Sequence, residues 1–247
     1  MKAIILSAGR GTRMMPLTAN TPKCLLDIGR GLTVLESQLD VLRICGFSEV
    51  DVVAGYLIEQ VRQVVEAYDG DSMRVRVVHN PFYASTNNIV SLWLGLLPVN
   101  DVCVSINGDD IFKDSVMKSL LSSAGNIVMT INRKDSYDSD DMLVVTEGNF
   151  VRNVGKTLDR SVANGESVGI VLYRNDGLQA IKLMLDSMLR DEHAHQYYYL
   201  EALQRLMDDN YPILSCEVGK GDWAEIDFHP DVEDVRAKLN DFLKRME

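Results

Sequence analysis

The sequence predicts an α/β fold in which helices cover both faces of a mostly parallel β-sheet, giving three α/β/α layers. Short apolar runs alternate with longer segments of helical periodicity, and the first run, residues 2–7, ends abruptly at Ala8-Gly9. We find no Pro/Ser-rich linker and no internal repeat. Strands that alternate with helices form βαβ units, whose crossover connections make the joined strands parallel. We therefore expect a single domain over residues 1–247.

The elements of the first half follow in regular order. After the strand over 2–7, leucines at helical spacing predict a helix that begins at a capping box formed by Thr33 and Glu36 and ends at Gly46. The next predicted elements are strand 49–54, a helix over 57–68 before the turn Asp69-Gly70, strand 74–79, helix 88–97, strand 101–106, helix 114–123 and strand 127–132.

The pattern changes after residue 133. Residues 142–146 and 150–154 flank a Glu-Gly-Asn turn, which predicts a β-hairpin inside an insertion over about 133–166. The last predicted elements are strand 168–173, helices near 176–190 and 197–209, strand 212–217 and a helix from Pro230, with Val232, Val235, Leu239, Phe242 and Met246 on its buried side.

Composition excludes several classes of partner. The chain has 36 acidic and 25 basic residues and a net charge of −11, which argues against a protein that binds nucleic acid through its phosphates. Its apolar runs are too short to span a bilayer, and the first residues lead straight into a strand, so we expect neither a membrane partner nor a secretion signal. The four scattered cysteines predict reduced thiols in a cytoplasmic protein (Cys24, Cys45, Cys103 and Cys216).

A loop rich in glycine and cations follows the first strand. Its sequence, Leu6-Ser7-Ala8-Gly9-Arg10-Gly11-Thr12-Arg13, allows the backbone to approach a ligand and to direct N–H groups at phosphate oxygens. It lacks the Gly-Lys-Ser/Thr of a Walker loop, and Met14 replaces the third glycine of a dinucleotide fingerprint. Pro22 then fixes the backbone before Lys23, which suits a lysine held at one place. The alternative for the loop is a structural turn.

Acidic residues follow two predicted strands far apart in the chain. Asp109 and Asp110 come after strand 101–106, at the edge where parallel sheets bind ligands. Glu225 and Asp227 are two residues apart, so a strand would place them on one face. Gathered carboxylates repel one another unless a cation lies between them, and Mg²⁺ prefers oxygen ligands. A polar turn is the alternative for residues 107–110.

These motifs resemble those of the nucleotidyltransferases that activate small phosphorylated compounds, and most closely the bacterial cytidylyltransferases for choline phosphate and 2-aminoethylphosphonate. The resemblance implies a Rossmann-like nucleotidyltransferase fold with a mixed sheet and a small β insertion. It covers essentially the whole chain. The residues that carry it are Leu6 to Arg13, Met15-Pro16-Leu17-Thr18, Thr21-Pro22-Lys23, Leu25-Leu26-Asp27, Gly55-Tyr56-Leu57, Asn80 to Tyr83, Asn87-Asn88 and Trp223 to Asp227.

The resemblance implies Mg²⁺-dependent transfer of CMP from CTP to a small phosphate or phosphonate acceptor, with release of pyrophosphate. Lys23, Arg13 and Lys156 would be catalytic, and Asp109 and Asp227 would bind the metal, with Glu225 sharing that role. Asn87 and Asn88 remain open, because both also suit the start of a helix. The expected nucleotide-binding residues are Leu6, Ala8, Gly9, Gly11, Thr12, Arg13, Lys23, Asn87, Asn88 and Asp109.

The acceptor is expected to bind in the later part of the chain. The resemblance implies that Lys156 contacts the acceptor's phosphate. Glu166, Asp140 and Tyr198 are the other candidates, because aromatic and acidic groups suit a cationic amine. Solvated loop positions are the alternative for Lys156 and for Asp140 with its neighbours Asp138 and Asp141. His193 and His195 do not fit a metal site, since residues two apart on a helix do not share a face.

Three other functions remain open from the sequence. A sugar-1-phosphate nucleotidylyltransferase using UTP, dTTP or GTP would share the same chemistry. A nucleotide-sugar glycosyltransferase also places acids at a strand end to hold a metal, but it needs no lysine-bearing glycine loop. A non-catalytic nucleotide-binding module would keep the fold alone. The oligomeric state is open as well, a homo-oligomer included.

Overall fold

The computed structural model describes residues 1–68 and 72–243. Five positions named above lie outside what it describes, either wholly or in their side chains: Asp69, Gly70, Leu239, Phe242 and Met246.

Strands and helices alternate through the first half, as the periodicity predicts. The capping box is present, because the Thr33 N–H donates to Glu36 Oε2 over 2.9 Å and the Glu36 N–H donates to Thr33 Oγ1 over 3.2 Å. The elements are β1 (Lys2–Ser7), α1 (Val34–Ile44), β2 (Glu49–Ala54), α2 (Ile58–Ala67), β3 (Arg74–His79), α3 (Asn88–Leu96), β4 (Cys103–Asn107), β5 (Asp110–Phe112), α4 (Asp114–Ser122) and β6 (Ile127–Asn132).

The second half contains the predicted hairpin and three more helices. Strand β9 is longer than expected, and α6 begins later because a 3-10 turn over Ala194–Gln196 precedes it. The elements are β7 (Leu143–Glu147), β8 (Phe150–Gly155), β9 (Gly165–Tyr173), α5 (Asn175–Met188), α6 (Leu200–Asp208), β10 (Leu214–Glu217), β11 (Trp223–Glu225) and α7 (His229–Leu243).

Within the described ranges, nine strands form one sheet in the order β3-β2-β1-β4-β9-β6-β10-β8-β7. Neighbours β1 to β4 are parallel, and so are β6 and β10. Strand β9 runs antiparallel between β4 and β6, and β8 runs antiparallel to β10 and β7. The mostly parallel mixed sheet is thus confirmed. The hairpin of the predicted insertion extends its far edge.

Helices cover both faces of this sheet, so the three-layer prediction is also confirmed. Successive residues of β1 point to opposite faces: Ile4 packs in the core beneath α3, α5 and α6, whereas Ile5 packs in the core beneath α1, α2 and α4. Among the described helices, none combines the length and apolarity that crossing a bilayer requires. All four cysteines are free. The organisation as a single domain stays a prediction.

Strands β5 and β11 were not predicted as a pair. They form a separate two-stranded antiparallel sheet, in which Glu225 lies opposite Asp110. Glu225 ends β11 and Asp227 follows it, so these acids lie at a strand end, as expected, but that strand belongs to this separate pair and not to the main sheet. Each strand of the pair has three residues, which is too short for a hydrophobic pattern to reveal.

Candidate active site

A cleft of about 320 Å³ opens at the carboxyl ends of β1 and β4. Loop residues after β1 form one wall, and the hairpin insertion with the start of α6 forms the other. The site residues from the sequence that line it are Leu6, Ala8, Gly9, Gly11, Arg13, Lys23, Asn87, Asn88, Asp109, Asp140, Lys156, Glu166, Tyr198, Glu225 and Asp227. Thr12 is the exception: it is exposed, begins a 3-10 turn and does not line the cleft.

Lys23 lies at the centre of the cleft. It opens a 3-10 turn directly after Pro22, whose φ of −56° and ψ of 142° turn the chain into the site. Its Nζ lies 2.6 Å from Asp109 Oδ2 and 2.6 Å from Asp227 Oδ1. Burial opposes the charge on this ammonium group, but the two carboxylates outweigh burial and raise the pKa of Lys23 above its ordinary value.

The β5–β11 pair brings Asp109 and Asp227 together. Asp109 immediately precedes β5, and its carbonyl accepts a hydrogen bond of 3.0 Å from the Ile226 N–H, just beyond β11. Asp110 is fully buried, and its Oδ1 accepts a hydrogen bond of 2.9 Å from Trp223 Nε1. The pair therefore fixes two acids that are far apart in the sequence at one side of Lys23.

Three carboxylates in this corner are close enough to share a metal ion. Asp109, Glu225 and Asp227 each offer an oxygen within 4.8 Å of the others. Glu225 is exposed to the cleft but has protein on most sides, and this desolvation, together with the charges of Asp109 and Asp227, raises its pKa to about 8. An all-carboxylate set fits a hard divalent cation that also binds phosphate oxygens. Burial likewise raises the pKa of Asp110, which is not part of the set.

The glycine loop is held by hydrogen bonds from its own continuation. Gly11 has a φ of +60°, and its carbonyl accepts a 2.7 Å hydrogen bond from the hydroxyl of the fully buried Thr18. The Tyr56 hydroxyl donates to the Ala19 carbonyl over 2.7 Å. A Cβ added to Gly9 would meet no atom within 4 Å, so the backbone there faces open space. The loop thus has a fixed shape and an open surface for an anion.

Arg13 joins three parts of the cleft. Its guanidinium contacts the Asp227 carboxylate, lies 3.9 Å from Asp140 Oδ2 and packs over the Phe228 ring at 5.8 Å from the ring centre. Side chains from the glycine loop, the hairpin insertion and the segment after β11 therefore meet at one cation. Arg13 and Lys23 share the Asp227 carboxylate as a partner.

The residues expected to bind the acceptor differ in whether their charges have ion-pair partners. Lys156 Nζ lies 5.1 Å from the centre of the Tyr198 ring and has no carboxylate partner among the described residues. Glu166 is buried, and Lys134 Nζ and Asn132 Nδ2 each lie 2.7 Å from one of its oxygens. Lys134 is not one of the expected site residues, yet it neutralises Glu166, which is therefore not an unpaired acid.

Asn87 and Asn88 line the cleft while stabilising the fold. Asn87 Oδ1 accepts a 2.9 Å hydrogen bond from the Asn88 N–H at the start of α3. Asn88 Oδ1 accepts a 2.9 Å hydrogen bond from the Tyr199 N–H, which ties α3 to the start of α6. The Nδ2 group of Asn88 has no partner among the described residues. The helix-start role is thus present, and a nucleotide contact stays a prediction.

Several residues raised by the sequence do not line the cleft, and others line it that the sequence did not indicate. Asp138, His193 and His195 lie elsewhere. Tyr83 lines the cleft and packs on Gly55, where any Cβ would come within 2.6 Å of its Cγ. The glycine before Tyr56 is the sequence signal that could have revealed this contact.

Comparison with known proteins supports the resemblance. A cytidylyltransferase of Campylobacter jejuni, named CTP:phosphoglutamine cytidylyltransferase, is 23% identical over 94% of this chain and 98% of its own. The choline-phosphate cytidylyltransferase of Streptococcus pneumoniae is 43% identical over a shorter stretch, 38% of each chain. A solved structure of a CTP:phosphocholine cytidylyltransferase from Streptococcus pneumoniae shares the fold, with a TM-score of 0.79 at 23% identity over 96% of this chain and 98% of that one.

A family model covers most of the chain as well. Residues 3–194 match the family described as the MobA-like NTP transferase domain. The match includes the glycine loop, Lys23 and Asp109, and it separates this chain from the glycosyltransferases that the sequence left open. The chain therefore belongs to the MobA-like NTP transferase domain family and is a nucleotidyltransferase.

Proposed function

We propose that this enzyme is a Mg²⁺-dependent cytidylyltransferase that transfers CMP from CTP to a small phosphonate or phosphate monoester. One observation carries the proposal: Lys23, Asp109 and Asp227 converge at the glycine loop. The names of its relatives support CTP as the donor and a small phosphorylated compound as the acceptor. The free cysteines fit a reducing compartment, for which we propose the cytoplasm.

In the proposed reaction an acceptor oxygen attacks the α-phosphorus of CTP. A bond forms between that oxygen and phosphorus, the bond from phosphorus to the oxygen bridging toward the β-phosphate breaks, and pyrophosphate leaves with the electron pair. The second pKa of a phosphate ester is about 6, so the nucleophile is already ionised near neutrality and needs no general base. Catalysis then consists of aligning two anions and neutralising their charge.

Cations from the first part of the chain would hold the triphosphate. The backbone N–H groups at Gly9 and Gly11, with Arg13, would bind the β- and γ-phosphates, and Lys23 would bridge the α-phosphate and the incoming oxygen. Because Lys23 and Arg13 are paired with carboxylates, they would exchange these partners for phosphate oxygens when the nucleotide binds.

The acids of the corner would hold the metal. Asp109 and Asp227 would be ligands, and Glu225 lies close enough to be a third. Bound Mg²⁺ would withdraw charge from the α-phosphate as a Lewis acid. The three carboxylates would hold the cation in the corner of the cleft that also contains Lys23 and Arg13.

The acceptor would occupy the wall formed by the insertion and α6. Lys156, which has no carboxylate partner among the described residues, is the natural contact for its phosphate or phosphonate, and Tyr198 lies directly against it. Asp140, partly exposed and only loosely paired with Arg13, is a candidate for a cationic group of the acceptor. Glu166 would line the acceptor pocket with its carboxylate already paired to Lys134.

The test is pyrophosphate release from CTP, UTP, dTTP, GTP and ATP, each with phosphocholine, 2-aminoethylphosphonate, other phosphonates and glucose-1-phosphate. We expect turnover with CTP and a phosphonate or phosphomonoester, and a CMP adduct in the mass spectrum. Preference for UTP, dTTP or GTP with a sugar phosphate would instead identify a sugar-1-phosphate nucleotidylyltransferase. Lys156→Met should raise KM for the acceptor and leave KM for CTP within about twofold, since only uniform binding of the acceptor is removed.

A further inference from the structure

Gln38 contacts the loop that carries Asp109 from the helix beneath it. It lies on α1, on the same face as Leu35 and Leu42, and only 1% of its surface is exposed. Its Nε2 donates two hydrogen bonds, 2.8 Å long to the Asn107 carbonyl and 2.7 Å long to the Asp110 carbonyl. A polar side chain thus occupies a buried position on the apolar face of the helix.

The two carbonyls bracket Asp109. They belong to the residues at either end of the turn 107–110, so one amide group spans the turn and fixes its width. The same turn is held from two other sides, by the Gly108 N–H bonded to the Leu6 carbonyl over 3.0 Å and by the Ile226 N–H bonded to the Asp109 carbonyl over 3.0 Å. Gln38 adds the contact from the helical layer.

The chemistry of the contact requires a neutral amide of this length. Glutamine supplies two N–H donors from one nitrogen, whereas methionine and leucine supply none, and an ionised glutamate would only accept and would add charge beside Asp110. Gln38 Oε1 is buried without a partner among the described residues. Burying that oxygen without a partner costs stability, whereas both N–H donors of the same amide bond to the turn.

We propose that Gln38 is a positioning residue for the metal site: it sets the 107–110 turn so that the Asp109 carboxylate meets Glu225 and Asp227 at a spacing suited to one divalent cation. The inference rests on the proposed metal-dependent function, because it assigns a role in that function to a residue outside the cleft. Gln38 acts through the backbone and touches neither substrate nor metal.

The test compares Gln38→Met, which keeps the size of the side chain but removes both donors, with Ser37→Ala as the matched control. Ser37 is the buried neighbour on α1, and its hydroxyl donates to the Val34 carbonyl within the helix over 2.7 Å, away from the turn. Mn²⁺ binding to the nucleotide-free protein is followed by the loss of its free electron paramagnetic resonance signal. Thermal unfolding and the Mg²⁺ concentration for half-maximal turnover are measured in parallel.

We expect Gln38→Met to weaken Mn²⁺ binding and to raise the required Mg²⁺ concentration by about 10-fold or more, the usual effect of losing a residue that orients a metal ligand. Saturating Mg²⁺ should restore most of kcat, and Ser37→Ala should bind Mn²⁺ as the parent does. If Gln38→Met does not fold, Gln38→Asn, one methylene too short to span both carbonyls, should shift Mn²⁺ binding in the same direction.

Unchanged Mn²⁺ affinity in the folded variant, with only a lower Tm, would overturn the proposal and leave Gln38 a core residue. A parent protein that binds no Mn²⁺ would overturn it too. Failure of every nucleotide and acceptor in the turnover panel would reject the proposed function instead, since Mn²⁺ binding to the nucleotide-free protein does not depend on either substrate.

Discussion

The ammonium nitrogen of Lys23 lies 2.6 Å from a carboxylate oxygen of Asp227, although the two residues are 204 positions apart in the chain. The same nitrogen lies 2.6 Å from Asp109. The cation that we propose binds the nucleotide is therefore held by the two acids that we propose bind the metal. Nucleotide and metal would release these ion pairs together. The nucleotide would supply the negative charge that Lys23 loses, and the metal would supply the positive charge that the two carboxylates lose.

Lys23→Met should separate the role of Lys23 in turnover from its role as the ion-pair partner of Asp109 and Asp227. We expect kcat to fall about 10²–10³-fold, the typical cost of losing a group that stabilises transition-state charge. The metal-free variant should also unfold more easily, by about 1–3 kcal/mol, because two partly buried carboxylates lose their shared partner. Added Mg²⁺ should therefore raise the Tm of the variant more than that of the parent, as measured by calorimetry with Mg²⁺ and with EDTA.

Lys113→Met is the control for Lys23. The Lys113 side chain is 13% exposed, as is that of Lys23, and its Nζ lies 3.0 Å from Asp222 Oδ1 outside the cleft. We expect a lower Tm with kcat within a few-fold of the parent. Equal losses of kcat in the two variants would contradict a special role for Lys23.

Gly9 and Gly108 should respond to alanine in opposite ways. Gly9 has open space where a Cβ would be, so Gly9→Ala should change the free energy of unfolding by no more than about 0.5 kcal/mol, as at a surface position, yet raise KM for the nucleotide. A Cβ on Gly108 would overlap Ser7 Oγ and lie 2.8 Å from the Leu6 carbonyl. Gly108→Ala should therefore lower stability, as denaturant unfolding would measure. A stable, fully active Gly108→Ala protein would contradict this geometry.

Thr18→Val removes the hydroxyl that fixes the Gly11 carbonyl while keeping the shape of the side chain. The expected loss is about 1–2 kcal/mol of stability, together with a raised KM for the nucleotide. Thr130→Val is matched to it, because Thr130 is fully buried and its hydroxyl donates to the Ile170 carbonyl over 2.8 Å in the sheet. It should lose similar stability and keep the parent KM. A rise in KM in both variants would show that lower overall stability, and not the loss of the Thr18 hydrogen bond to the loop, causes the effect.

Glu225 predicts a pH dependence of stability in the metal-free protein. Its pKa is raised from 4.5 to about 8, so the folded state binds this proton more tightly than the unfolded state does. The resulting stabilisation is complete below pH 4.5 and is lost as the pH rises through 8. Glu225→Gln cannot lose it, so with EDTA its Tm relative to the parent should increase between pH 5 and pH 9. A constant difference would contradict the shifted pKa, and added Mg²⁺ at pH 9 should favour the parent.

Local patterns in the sequence were sufficient for most of the elements and for one half of the site. The Thr33–Glu36 capping box started α1 where predicted, because cap hydrogen bonds join residues three apart. The glycine loop and Lys23 also lie where their motif indicates, since a turn directly after a buried strand has little freedom to be elsewhere. These features depend on contacts within a few residues.

The other half of the site needed the tertiary structure. Trp223 and Asp110 are 113 positions apart, and strands of three residues carry too little periodicity to show that they pair. Thr12, expected at the nucleotide, is exposed at the start of a 3-10 turn and does not line the cleft. The ion pair between Glu166 and Lys134 could not be predicted either, since no local sequence pattern indicates which charged residues will form ion pairs.

The amino-acid sequence by itself predicted the family, the layers and the cations that we propose bind phosphate. Folding alone decided that Asp109, Glu225 and Asp227 stand within reach of one ion, that Gln38 supports the turn between two of the layers, and that β9 runs against its neighbours. The reason is physical: helical and strand periods report which face of a short segment is buried, whereas the partner across that face is selected by packing of the whole chain.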